Sequence, residues 1–129
     1  MPDTMILDTC ALLWLVSDSN RLSDSVRRDL DAAQFVYVSP ISAWEIGILV
    51  KKDRLVLPKS PKDWFEAAVD AHDLVLAHLS VAVLTRANDL PWHHRDPADR
   101  FIIASANLLG ATVVTADERF RAYDVPVVC

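Results

Sequence analysis

A chain of 129 residues that is 52% hydrophobic is long enough for one domain with a real core and too short for two of ordinary size. Its formal charge of −5 argues against broad electrostatic capture of nucleic acid, while leaving room for a local basic strip on one face. Two cysteines, Cys10 and the terminal Cys129, make no disulfide framework and fit a reducing cytosol, so a cytoplasmic protein is expected. The apolar stretch 5–16 is interrupted by Asp8, has no basic segment ahead of it and falls short of a membrane span, so neither a targeting segment nor a membrane partner is expected.

In chain order, "MILDTC" reads as a short apolar strand ending at Asp8, followed by the helix-compatible "ALLWLV" and a turn at "SDSN". Ser23 caps a helix through "DSVRRDLDAA", with Val26 and Leu30 facing inward, and "FVYV" supplies a β-branched and aromatic strand that Pro40 ends. "SAWEIGILVKK" carries a capping-box pattern, Ser42 with Glu45, and predicts a helix. A proline-bounded connector leads into a helix over 61–72; "LVLAHL" is strand-like, and Ser80 opens a helix through Arg86. "NDLPWHHRDP" reads as a loop, the helix over 98–109 stops at Gly110, "ATVVTAD" is a buried strand closing on Asp117, and "VPVVC" holds a last short strand. Helices alternating with strands that are apolar throughout predict an α/β sandwich around a mainly parallel sheet, with helices on both faces and no repeat or linker to divide residues 1–129.

Four acids occupy comparable places: Asp8 past the first strand, Glu45 and Asp99 in the first turns of helices, and Asp117 past a late strand. In open α/β sheets, sites form at the carboxyl ends of strands, where the next helices begin, so all four can converge on one pocket. Each acid singly also has a capping reading, and singly that reading is favoured. Together the balance changes, because carboxylates meeting in one cleft raise one another's pKa unless a cation neutralises them. Oxygen donors without a paired cysteine or histidine array point to Mg²⁺ or Mn²⁺, and such a cluster suits phosphodiester hydrolysis by an activated water. With only two glycines and no CxxC, the chain offers no phosphate loop or redox pair as a rival chemistry.

The segments "ILDTCALLWLVSDSNRLS", "VSPISAWEIGILVKKDRLVLP", "LPWHHRDPADRFIIASA" and "TVVTADERFRAYDVPVV" resemble the PIN-domain ribonucleases, and within them the VapC-type toxins of toxin–antitoxin pairs, in order and spacing over nearly the whole chain. The resemblance implies a PIN-like three-layer sandwich and a metal-dependent endoribonuclease with Asp8, Glu45, Asp99 and Asp117 at the acidic positions. It also implies a cytoplasmic toxin with an RNA substrate, a small cognate antitoxin and a homodimer. Asp96 matches a family residue outside the usual ligand set, and Thr9 and Thr115 look like hydroxyl neighbours that orient a carboxylate or a water. Two departures stand out: Cys10, where many relatives carry histidine, serine or asparagine, and Ala98, where the related "DPFDR" form has phenylalanine.

Lys51, with Lys52 and Arg54, ends one helix, and His93, His94, Arg95 and Arg100 surround the acid-bearing loop, so a basic rim holding RNA phosphates against a negative centre is expected. A plain helix end is an equal reading for the lysines. Trp92 is more often a packing residue than a base platform, and Trp14, Trp44 and Trp64 are assigned to the core or a dimer face. A haloacid-dehalogenase-like phosphatase would need an aspartate at Cys10, and a receiver domain would need a mid-chain aspartate and a late lysine that the strands do not offer. A PIN-like RNA- or protein-binding module without catalysis stays open as the alternative. With Pro97 at the first helical position, Asp96 is the natural N-cap and Asp99 is aimed toward Asp8, Glu45 and Asp117.

Overall fold

The structure is a computed structural model and describes residues 2–129. Strands β1 (Thr4–Leu7), β2 (Phe35–Val38), β3 (Val75–Leu76), β4 (Thr112–Val114) and β5 (Val127–Val128) form one parallel sheet in the order β3-β2-β1-β4-β5. Helices α1 (Thr9–Val16) and α2 (Asp24–Ala32) precede β2, and α3 (Ile41–Lys51) and α4 (Pro61–Ala71) precede β3. Helices α5 (Val81–Asp89) and α6 (Pro97–Leu109) precede β4, and a 3-10 turn, Glu118–Ala122, precedes β5.

The strands divide their residues between two cores because successive side chains point to opposite faces. Met5, Leu7, Val38 and Val114 pack with Leu12, Val26, Ile46 and Phe65 of α1 to α4, while Ile6 and Val113 pack with Ile102, Ile103 and Phe120 on the other face. Both faces are covered, which is why the strands read as apolar throughout rather than alternating. This is the expected three-layer α/β sandwich. Among the described residues no helix is long and apolar enough to cross a membrane.

Several boundaries move. The strand expected across "LVLAHL" shrinks to Val75 and Leu76, because it lies at the sheet edge and pairs only with Tyr37 and Val38. Helix α5 runs on to Asp89, three residues past Arg86. Ser23, Ser60 and Ser80 cap α2, α4 and α5 through the N–H of Val26, Asp63 and Val83, and α6 ends at Gly110 with φ 65°, a left-handed position that glycine takes without a Cβ penalty.

Register positions the site. Leu7 is level with Val38 on one side and Val114 on the other, so the residues after them, Asp8, Ser39 and Thr115, emerge together at the carboxyl edge. The strand order reverses direction between β1 and β4, and that switch point is where the flanking loops part to leave a crevice.

Candidate functional site

Asp8 follows β1 and caps α1: its Oδ1 accepts the Ala11 N–H at 2.8 Å. The capping reading and the site reading of this acid are therefore both realised, with the carboxylate buried at the cleft floor. Beside it, the Thr9 hydroxyl lies between Glu45 Oε1 and Ser42 Oγ, the latter at 2.9 Å. A hydroxyl has one proton to give, so Thr9 donates to the carboxylate and accepts from Ser42.

The expected capping box at α3 does not form. The helix starts one residue earlier, at Ile41, and its N-cap is Pro40, whose side chain makes no cap bond. Ser39 Oγ takes the Ile41 N–H at 3.2 Å, and Ser42, now inside the helix and buried, is turned to Thr9. Glu45 has no return bond to make and is left to the cleft.

At α6 the cap forms, with Asp96 Oδ1 accepting the Ala98 N–H at 3.0 Å and Pro97 in the first turn. The return arm is again missing: the Asp96 N–H goes to His94 Nδ1 at 3.2 Å. His94 Nε2 lies 2.8 Å from Asp99 Oδ2 and 3.0 Å from Asp117 Oδ2. Asp117 caps the 3-10 turn through the Arg119 N–H at 3.0 Å and takes the Arg119 guanidinium on both oxygens, at 3.0 and 2.8 Å. Thr115 Oγ1 accepts the Asp117 N–H at 3.0 Å and its hydroxyl also bonds Asp8.

These groups line a cleft of about 620 Å³. Asp8, Glu45, Asp96, Asp99 and Asp117 stand with Thr9 and Cys10 on one side, and Trp14, Trp44, Ile48 and Leu49 form an apolar wall with Arg21. Burial, then the charges of Asp96, Glu45, Asp8 and Asp117, push the Asp99 carboxyl up to about 8. Burial also raises Asp8 and Glu45, against the hydroxyl bonds from Thr115 and Thr9 that favour their ionised forms. Asp117 differs: its Arg119 partner, before all else, holds it down at about 2. The Cys10 thiol is pushed up to about 11 by burial and by Asp8, Glu45 and Asp99, which makes it no nucleophile.

Carboxylate oxygens of Glu45, Asp96 and Asp99 lie within 4.8 Å of one another, as do ligand atoms of His94, Asp99 and Asp117. Hard oxygen donors, crowded until one acid holds its proton near neutrality, fit a divalent cation of the Mg²⁺ or Mn²⁺ kind. Asp96, expected as the helix cap and a neighbour outside the usual ligand set, contributes its charge to this group.

The expected basic rim is altered. Arg100 is buried and cannot meet phosphate: its Nη1 donates to the carbonyls of Pro91 at 2.8 Å and His94 at 3.2 Å, and its Nη2 to those of Ala87 at 2.6 Å and Leu90 at 2.8 Å. The last two carbonyls end α5, where an unpaired cation is stabilised by the helix terminus. Helix α6 is buried almost all round from Ala98 to Ala106, so an arginine in its second turn has to turn inward. His94 is likewise buried and faces the acids rather than solvent. His93, Arg95 and Lys51 are exposed but are not among the residues lining the cleft.

Trp44 and Arg21 are cleft residues that the sequence reading did not find. Trp44, expected in the core or a dimer face, is 59% exposed one residue before Glu45 and so is not a core residue, and Arg21 lies over the Trp14 ring at 5.4 Å. The available signal was adjacency, since a large aromatic beside a site acid at the start of a helix shares its end of the sheet. Trp64 takes the core, one of the two places expected for it, and Trp92 lies on the Arg100 guanidinium at 3.8 Å.

Comparison with known proteins agrees with this fold. Residues 5–126 match the PIN domain family. A protein of Mycobacterium tuberculosis named Ribonuclease VapC22 is 29% identical over 124 residues, covering 95% of this chain and 94% of that one. The structure of VapBC2 from Rickettsia felis, bound to a DNA fragment from its promoter, superposes with a TM-score of 0.70 at 14% identity, covering 97% of each chain. A toxin–antitoxin complex from Klebsiella pneumoniae gives 0.65 at 20% identity, covering 97% of this chain and 96% of that one.

Proposed function

The chain belongs to the PIN-domain family, and from that premise we propose that it is a divalent-metal-dependent endoribonuclease serving as the toxin of a toxin–antitoxin pair. The observation that carries the reading is the convergence of five carboxylates, Asp8, Glu45, Asp96, Asp99 and Asp117, on one cleft, with Asp99 pushed up to about 8. Such crowding is costly in a resting fold and is relieved by a cation. The relative named Ribonuclease VapC22 supports the activity, and the toxin–antitoxin complex from Klebsiella pneumoniae among the structural relatives supports an antitoxin partner.

In this reading Asp8, Glu45, Asp99 and Asp117 hold the metal, Mg²⁺ or Mn²⁺. A divalent cation bound there lowers the pKa of a water and stabilises the charge that builds on the phosphate. The chain's own residues set the stage: Thr9 fixes the Glu45 carboxylate, Thr115 fixes Asp8, and helix N-termini offset part of the negative charge. Water would add its oxygen to phosphorus as the P–O bond to one neighbouring nucleoside breaks, the proton lost by the water being balanced by one taken up by the leaving oxygen, with no covalent enzyme intermediate. The wall of Trp14 and Trp44, with Arg21 beside it, accommodates an unpaired base and a phosphate, which favours single-stranded RNA. His93, Arg95 and Lys51 contribute more distant phosphate contacts, and the chain works as one domain, in the cytosol, as a homodimer.

The test is cleavage of a synthetic single-stranded RNA by the purified chain with Mg²⁺, with Mn²⁺ and with a chelator. Cleavage that needs the metal and disappears in Asp8→Asn is expected. Cleavage that survives the chelator, or full activity in Asp8→Asn, overturns the proposal.

A further inference from the structure

His94 has no place in the metal chemistry proposed above and is 1% exposed. Its position is set without the acids. The backbone N–H donates to Tyr123 Oη at 2.8 Å, the carbonyl accepts from Arg100 Nη1 at 3.2 Å, and the ring meets Phe120 edge to face at 5.7 Å. Tyr123 is itself tied to the Pro91 carbonyl at 2.7 Å, so the loop ahead of α6 is held from several sides.

The two ring nitrogens then face different chemistry. Nδ1 receives the Asp96 N–H at 3.2 Å, so Nδ1 carries a lone pair and the ring proton sits on Nε2. That one N–H donates to Asp117 Oδ2 at 3.0 Å, and Asp99 Oδ2 stands 2.8 Å from the same nitrogen; the two acids come from different elements, the start of the 3-10 turn and α6. A histidine binding a metal through Nε2 would need its proton on Nδ1, where it would confront the Asp96 N–H, donor against donor.

We propose that His94 is a positioning residue: its Nε2–H, oriented by the Asp96 backbone, holds Asp117 beside Asp99 and sets their spacing, and it is not itself a metal ligand. A packing role alone would need the two nitrogens satisfied by any partners; here Nε2 bonds one acid and lies against a second, and no other described bond joins the two. The consequence for metal affinity rests on the ribonuclease reading; the assignment of the proton does not.

The experiment therefore has two arms on the full chain. In the metal-free protein, long-range ¹H–¹⁵N NMR of the His94 ring is expected to show the proton on Nε2 with Nδ1 bare. A proton on Nδ1 overturns the proposal, whether or not the chain cleaves RNA. Titration with Mn²⁺ then compares His94→Asn, whose amide oxygen can replace Nδ1 toward the Asp96 N–H, with His94→Gln, whose longer amide can replace the Nε2 donor. Loss of Mn²⁺ affinity of roughly 10- to 100-fold in His94→Asn, largely recovered in His94→Gln, is expected for a residue that orients ligands. Equal affinity in the two variants, or movement of the ring proton to Nδ1 on adding Zn²⁺, overturns the positioning role. If the unmodified chain binds no Mn²⁺ and cleaves no RNA, the ribonuclease reading fails, and the NMR arm still decides the donor assignment.

Discussion

Helices α3 and α6 open on similar sequence, a polar residue followed three positions later by an acid, and the two openings fold differently. At α6 the first half of the motif forms, with Asp96 capping the Ala98 N–H, whereas at α3 the cap residue is Pro40 and Ser42 has moved inside the helix. In both, the bond that would close the box is taken by another partner: the Asp96 N–H by His94 Nδ1, and the Glu45 carboxylate by the Thr9 hydroxyl. A helix start thus aims an acid at the cleft by denying it the local bond, and the denial comes from residues on other elements or outside the helix.

The strongest challenge to that comparison is removal of the released acids. Asp99→Asn is expected to lower metal-dependent RNA cleavage at least about 100-fold with the fold intact by circular dichroism, since it removes charge that acts only when the metal and transition state are present. Glu45→Gln should behave in the same direction. If either variant only loses helix stability while keeping its activity, the acid is a cap after all.

Next comes the scaffold that holds the α6 start in place. Arg100→Met leaves the carbonyls of Ala87, Leu90 and His94 without their side-chain donor and the Pro91 carbonyl with Tyr123 alone, and a loss of at least about 3 kcal/mol in denaturant unfolding is expected. Lys51→Met, by contrast, should leave unfolding unchanged, because Lys51 is exposed at the end of α3.

The titration of Asp99 gives a third, intermediate effect. Its carboxyl is raised from 3.8 to about 8, so the folded chain keeps a proton that the unfolded chain gives up between those values. The associated stability is whole below pH 3.8 and is lost as pH rises through about 8. Metal-free protein should therefore melt at lower temperature at pH 8 than at pH 5, and Asp99→Asn should flatten that slope. Asp117 works the other way: held at about 2, it contributes above pH 3.8 and is lost as pH falls through about 2. Mg²⁺ added near neutral pH should raise the melting temperature and release protons, measurable in buffers of different ionisation enthalpy.

The smallest effects separate the two caps. Asp96→Ala should cost about 1 kcal/mol, and Asp96→Ser should restore most of it. Ser42→Ala should cost less, because Ser42 caps nothing; its trace should appear as a looser Glu45 and reduced cleavage. A loss in Ser42→Ala as large as in Asp96→Ala would restore the box at α3.

Much of the fold was legible because its signals are local. Apolar strands bounded by Asp8 and Pro40, serine caps at Ser23 and Ser80, and Gly110 as a helix stop each depend on a few neighbouring residues. The four acids were legible as a group because strand ends and helix starts share one edge of a parallel sheet. Arg100 and His94 were misplaced, and the cleft position of Trp44 was missed, for the opposite reason. Whether an arginine in α6 faces solvent depends on α5 and Tyr123 covering it, and whether Trp44 is core or cleft depends on what stands across from α3.

The amino-acid order by itself determined the alternation of helix and strand, the apolar faces and the candidate acids, since propensity, capping and periodicity act over a turn or a strand at a time. Only the tertiary structure decided which polar groups those acids meet. The partners of His94 include Asp117, 23 residues away, and Tyr123, 29 residues away, and Thr9 reaches Glu45 across 36. Contacts at that separation exist only after β1, β2 and β4 have aligned their ends, because no local pattern carries the distance between loops that the sheet register sets.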